Sequence, residues 1–174
     1  MARCAYPELA GLPEPLAAEL KNRIMPGRGN VWRMLCWTPD AAKTLIDYSE
    51  SIRHRNDIPP KLRELMILRT GHLCAAPYEL HHHTRIAKEV GLSEAEMAAS
   101  TEGPAAAGLD DTQRFVLTMV DALVADKRLS QADFDDAVAQ FGTRMVADMV
   151  LLVGFYTMAC MFLNSFEVDV EPTP

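Results

Sequence analysis

"LRELMILRTGHLCAAPYELHHHTRIAKEVGLSEAEM", residues 62–97, is the stretch that decides the fold. Pro59 and Pro60 precede its first apolar run, and proline is tolerated in a first helical turn because its missing N–H has no partner there anyway. Pro77 opens a second segment, and Gly91 closes it where a left-handed residue commonly caps a helix. Ser93 and Glu96 then have capping-box spacing, which begins a third segment. Nothing in the stretch alternates with the period of two that a half-buried strand needs.

Working outward, the same grammar recurs. "TPDAAKTLIDYSESIRHR" (38–55) opens with a proline and Asp40 as the expected cap, and places Ala42, Leu45, Ile46 and Ile52 on or near one face. "DDTQRFVLTMVDALVADK", "SQADFDDAVAQFG" and an apolar segment from about Thr143 complete the series. An all-α, single-domain bundle of about six or seven helices is expected. Residues 1–29, rich in proline and glycine with one short helical candidate at "LAAELKNRI", read as an N-terminal arm that wraps the helical domain of residues 30–174.

The bulk numbers restrict function. A chain of 174 residues can bury a sizeable core without staples. With 49% apolar residues and a net charge of −7, it is expected to be soluble. The negative sign disfavours nucleic acid and anionic membranes, leaving a small molecule as the expected ligand. Cys4, Cys36, Cys74 and Cys160 are scattered, with no CxxC and no secretory leader, so they are expected to be reduced and the protein cytoplasmic. The longest apolar run, Met149 to Leu163, falls short of the roughly 20 residues that span a bilayer.

Chemistry concentrates in "PYELHHHTRIAKEVG", residues 77–91. Successive helical residues are about 100° apart, so three adjacent histidines cannot converge on one point. Leu80, Ala87 and Val90 mark the apolar stripe, and His83 falls within it. His82 shares its side with Tyr78, Arg85 and Glu89, and both His81 and His82 are expected at the surface. Glu79, four residues before His83, can hydrogen-bond and orient its ring. Glu64, beside Leu65 and Leu68, is a second candidate to turn inward, although the ordinary reading of one charge in "KLRELMILR" is a solvated face. Two carboxylates and an imidazole around one cavity suit general acid/base catalysis.

These residues resemble the carboxymuconolactone decarboxylase family, within the AhpD-like alkylhydroperoxidase superfamily. The branch without redox cysteines often reads R-E-L-x-I-L-R, then Y-E-W-x-x-H, then A-x-x-x-G-L-S. Here the matching residues are Arg63-Glu64-Leu65, Ile67-Leu68-Arg69, Tyr78-Glu79-Leu80, His83, Ala87 and Gly91-Leu92-Ser93, with Leu80 in place of the tryptophan. In the peroxidase branch a C-x-x-C pair would fall at Ala76 and Glu79, so the dithiol is missing. Cys74 lies two residues early and reads as a small buried residue.

The resemblance implies a homo-oligomer, a trimer or hexamer, that binds a small carboxylate or lactone. It implies cofactor-free lyase or isomerase chemistry in which His83 gives and takes a proton, Glu79 orients it, Glu64 relays, and Tyr78 hydrogen-bonds a developing oxyanion. Arg69 and Arg33 are the expected partners of a substrate carboxylate. Three alternatives stay open: a metal site built from Glu64, Glu79 and His83 with His72, a peroxidase using Cys74, and a non-catalytic small-molecule-binding oligomer.

Overall fold

The computed structural model describes residues 1–25 and 27–172. The described residues form eight α-helices: α1 (Glu14–Leu20), α2 (Asn30–Leu35), α3 (Pro39–His54), α4 (Pro60–Leu73), α5 (Pro77–Glu89), α6 (Glu94–Glu102), α7 (Asp111–Asp126) and α8 (Gln131–Phe166). The all-α architecture is as expected; the helix count differs in two places. Asn30–Leu35 forms an additional short helix after Gly29, whose φ of 114° is open to glycine alone at that site, since a Cβ would lie 2.7 Å from the Arg23 carbonyl oxygen. The two helices expected across residues 130–166 run on as α8 through a sharp break at Gly142, with φ 78° and ψ 153°.

Local signals place the helix starts. Proline occupies the first turn of α1, α3, α4 and α5. Ser93 with Glu96 and Asp110 with Gln113 form complete capping boxes at α6 and α7. Asp40 is not the cap of α3: Thr38 holds that position, and Asp40 lies in the first turn, where its charge complements the positive end of the helix.

At the centre is α4, which packs against α5, α6, α7 and α8. Every residue from Leu62 to Gly71 is buried, so this helix has no solvent face. One side of it, Met66 and Ile67, joins Val116, Val120, Met149 and Val153 of α7 and α8. The other, Leu65 and Leu68, meets Ala87, Leu92 and Leu117. Each of the larger of these side chains contributes about 1.5–3 kcal/mol through burial.

The N-terminal segment does more than wrap. Leu16 and Leu20 of α1 are buried with Leu35, Cys36, Ala42 and Ile46. The C-terminal tail returns to the same end of the molecule: Asp169 accepts from the Ala2 N–H, and its own N–H donates to the Tyr6 hydroxyl. Residues 173–174 of the expected domain, and Pro26 of the arm, lie outside the described residues. The 36-residue α8 is long and apolar enough to cross a membrane, with mean hydropathy 2.0 over its most apolar 18 residues. Its inner side instead packs on α3, α4 and α7.

Candidate active site

His83 projects from the middle of α5 and is 5% exposed. Its Nδ1 lies 2.7 Å from Glu64 Oε2. Glu64 is wholly buried in α4, and its other oxygen accepts from Arg63 Nε at 3.3 Å. Glu64 is therefore not the solvated charge that its local pattern suggested. On the other side of the ring, Glu79 Oε2 is 3.4 Å from His83 Nε2. Tyr156 of α8 packs edge-on against the imidazole, with ring centroids 5.1 Å apart. His83, Glu79 and Tyr156 line a cavity of about 400 Å³ bounded by α2, α3, α5 and α8.

The two carboxyls are driven apart electrostatically. Burial pushes Glu64 up, but the hydrogen bond and charge of His83, with Arg53 and Arg63, outweigh it and hold Glu64 below the usual carboxylate range. For Glu79 burial wins: the group is raised, with the Glu64 charge adding to the effect and His83 and Arg53 opposing it. An ionised Glu64 accepts a proton-bearing Nδ1, which fixes the tautomer and presents Nε2 to Glu79 and the cavity. The partner that orients the ring is thus Glu64, the reverse of the division of roles expected from the i, i+4 spacing of Glu79 and His83.

Other expected participants are placed differently. Tyr78 lines the cavity, but its hydroxyl donates to Glu171 Oε1 at 2.9 Å and accepts from the Val31 N–H at 3.2 Å. It is already committed and does not offer its proton to an oxyanion. Burial raises the hydroxyl further from ionisation. His82 is not a surface residue: Nε2 lies 2.8 Å from Glu171 Oε2, and the ring packs tilted against Tyr78 with centroids 4.5 Å apart. Burial lowers His82 while Glu171 stays below its usual range despite burial, held by the Asn30 N–H, Tyr78 and His82. The pair is a neutral imidazole donating to a carboxylate. His81 is exposed.

Neither expected arginine reaches the cavity. Arg69 is buried and forks onto Asp121, at 2.6 and 2.9 Å, while also donating to the Ser100 and Thr101 carbonyls. It braces α4 against α6 and α7. Arg33 stacks on the Tyr6 ring at 4.7 Å. His72 hydrogen-bonds the Thr101 hydroxyl at 3.0 Å, away from His83. Among the described residues no three His, Cys, Asp or Glu side chains are disposed to hold a metal ion. Cys74 ends α4 beside Cys160 of α8, and burial raises both thiols above the ordinary range, away from the thiolate a peroxidase needs.

The residues missed in sequence are Tyr156, Arg53 and Glu171. Tyr156 stood in an apolar run whose only visible property was hydrophobicity. Arg53 and Glu171 carry no local signal, since the chain brings them from α3 and from the tail.

The bundle in which α4 and α5 hold an imidazole between two acidic side chains has an AhpD-like helical fold. The uncharacterised peroxidase-related protein with an alkylhydroperoxidase AhpD core from Ralstonia eutropha superposes with a TM-score of 0.82, at 19% identity, covering 98% of this chain and 92% of that one. A peroxidase-related protein from a Silicibacter species gives 0.81 at 16% identity, with 97% and 91% covered. The debrominase Bmp8 in complex with 2,3,4-tribromopyrrole gives 0.77 at 14% identity, with 98% and 94% covered. Residues 39–122, from the start of α3 into α7, match the model of the Carboxymuconolactone decarboxylase family. A search of curated protein sequences found no significant match.

Proposed function

We propose that this protein is a lyase or isomerase that acts by general acid/base chemistry, without a cofactor, on a small carboxylate or lactone held in the cavity beside His83. The observation that carries this reading is the pair of carboxyls on either side of one imidazole, Glu64 held low and Glu79 pushed high. Two acids whose environments separate them in this way divide into an ionised and a protonated partner at one pH.

Glu64 is the positioning residue, because it touches Nδ1 and does not line the cavity. His83 Nε2 exchanges the proton with substrate, and Glu79 supplies or recovers it. In a decarboxylation, the bond between the substrate carbon and its carboxylate breaks and its electron pair moves into an adjacent enone or lactone carbonyl. Carbon dioxide leaves, and the resulting carbanion equivalent takes a proton from the His83–Glu79 pair. An isomerisation uses the same groups, with proton removal at one carbon and return at another.

The working form is a cytoplasmic homo-oligomer, a trimer or hexamer. The uncovered apolar side of α8, where Leu151 is 49% and Met161 60% exposed, supports assembly through that helix. The fold of the debrominase neighbour is compatible with small-ring substrates but does not select one.

The test is turnover of carboxymuconolactone, followed by carbon dioxide release, together with solvent deuterium incorporation into a panel of small carboxylates and lactones. His83→Gln is expected to keep the helical content and to lower kcat by roughly two to four orders of magnitude. Equal turnover by wild type and variant removes His83 from the chemistry.

A further inference from the structure

Four arginines line the cavity, and three of them are engaged or peripheral. Arg23 pairs with Glu50 at 2.9 Å, Arg85 pairs with Glu89 at 2.5 Å, and Arg28 is exposed and donates to the Met25 sulfur. Arg53, in the last turn of α3, is different. Among the described residues no carboxylate lies within ion-pair distance of it, and its Nε is buried without a hydrogen-bond partner. A guanidinium with a desolvated, unmatched N–H is a costly arrangement in a finished fold and a useful one in a receptor, because its planar fork matches a carboxylate with two parallel hydrogen bonds.

The cavity also has two characters. Its lining includes the polar Asn22, Arg53 and His54 and the apolar Leu35, Leu45, Phe155 and Phe162, the last two from α8. Arg53 lines the same cavity as Glu79, His83 and Tyr156, and its charge favours the ionised form of Glu64 and Glu79.

We propose that Arg53 is the anion receptor of this cavity, and that the ligand it selects is a small monocarboxylate with a compact apolar body, the carboxylate on the guanidinium and the body against α8. This assigns to Arg53 the role that sequence spacing had suggested for Arg69 and Arg33. It also narrows the substrate class: an uncharged lactone leaves the guanidinium unmatched and is disfavoured. The inference rests on the proposed reading of the cavity as a substrate site, but it concerns binding and can fail separately from it.

The experiment is calorimetric titration of the whole protein with benzoate and with its neutral isostere benzamide, with Trp32 fluorescence at the cavity wall as a second readout. Wild type is expected to bind benzoate saturably and benzamide at least roughly tenfold more weakly. Arg53→Gln is expected to weaken benzoate roughly ten- to hundred-fold and to erase the preference, while Arg53→Lys, which keeps charge but loses the fork, falls between. No saturable benzoate binding by wild type, equal affinity for the two probes, or unchanged binding by Arg53→Gln each overturns the proposal. The wild-type comparison holds even where a variant fails to fold. Selective benzoate binding with no dependence of turnover on His83 leaves the receptor standing and removes the acid/base reading; the opposite pattern does the reverse.

Discussion

At the scale of single residues, the arrangement turns on two buried carboxyls with opposite tendencies. Glu79 is raised by burial, so its folded form holds a proton that the unfolded chain releases. Such a group contributes stability that is fully present below its ordinary value of 4.5 and is lost as pH rises through the folded value. Glu64 is lowered by His83 and the two arginines despite burial, so its contribution is present above 4.5 and is lost as pH falls through the folded value. Thermal melts across about pH 4 to 8 are therefore expected to separate two isosteric variants. Glu79→Gln gains on wild type as pH rises, because the amide cannot ionise. Glu64→Gln loses most at neutral pH and recovers toward wild type on acidification. Parallel pH profiles for the two variants would mean that the carboxyls are not driven apart.

At the scale of elements, α8 holds a break that no side chain enforces. Gly142 has φ 78° and ψ 153°, a region that is essentially glycine-only, although a Cβ there would meet nothing within 4 Å. Gly142→Ala is expected to destabilise by about 1–3 kcal/mol purely through the backbone, seen as a lower Tm with unchanged helical content. A variant as stable as wild type would mean that the two limbs of α8 can realign. The elements legible in sequence were those with local causes. The prolines before α3, α4 and α5, Gly91 after α5, and the Ser93–Glu96 box each act within one turn. The short α2 was not legible, because its first-turn N–H groups are satisfied by distant partners: Asn30 by Glu171 and Val31 by the Tyr78 hydroxyl. The site divides along the same line. His83 was legible from its place in the α5 stripe, whereas the full burial of Glu64 was not, since α4 is surrounded on every side and shows no polar face to read. Arg53 reaches the cavity from α3 and Glu171 from the tail, contacts that no spacing within a helix reports.

At the scale of the whole molecule, the long helix α8 shows an apolar side that the chain leaves uncovered. Ala147, Val150, Leu151, Gly154 and Met161 are exposed along it, with Met158 partly so, recurring at three- and four-residue steps as in a helix-to-helix contact. The neighbouring side chains Phe155, Met158 and Phe162 belong to the cavity wall. A second copy seated on this helix would therefore bury the apolar strip and close the adjacent side of the cavity, linking assembly to ligand affinity. Leu151→Asp with Met161→Asp places two charges on the strip without touching the buried face of α8. Multi-angle light scattering is expected to give an oligomer for wild type and a monomer for the double variant at the same concentration, with helical content retained and benzoate affinity reduced. A monomeric wild type would refute the assembly, and an oligomer that survives both charges would move the contact to another surface. Intact affinity in a monomeric variant would instead show that one chain completes the cavity by itself.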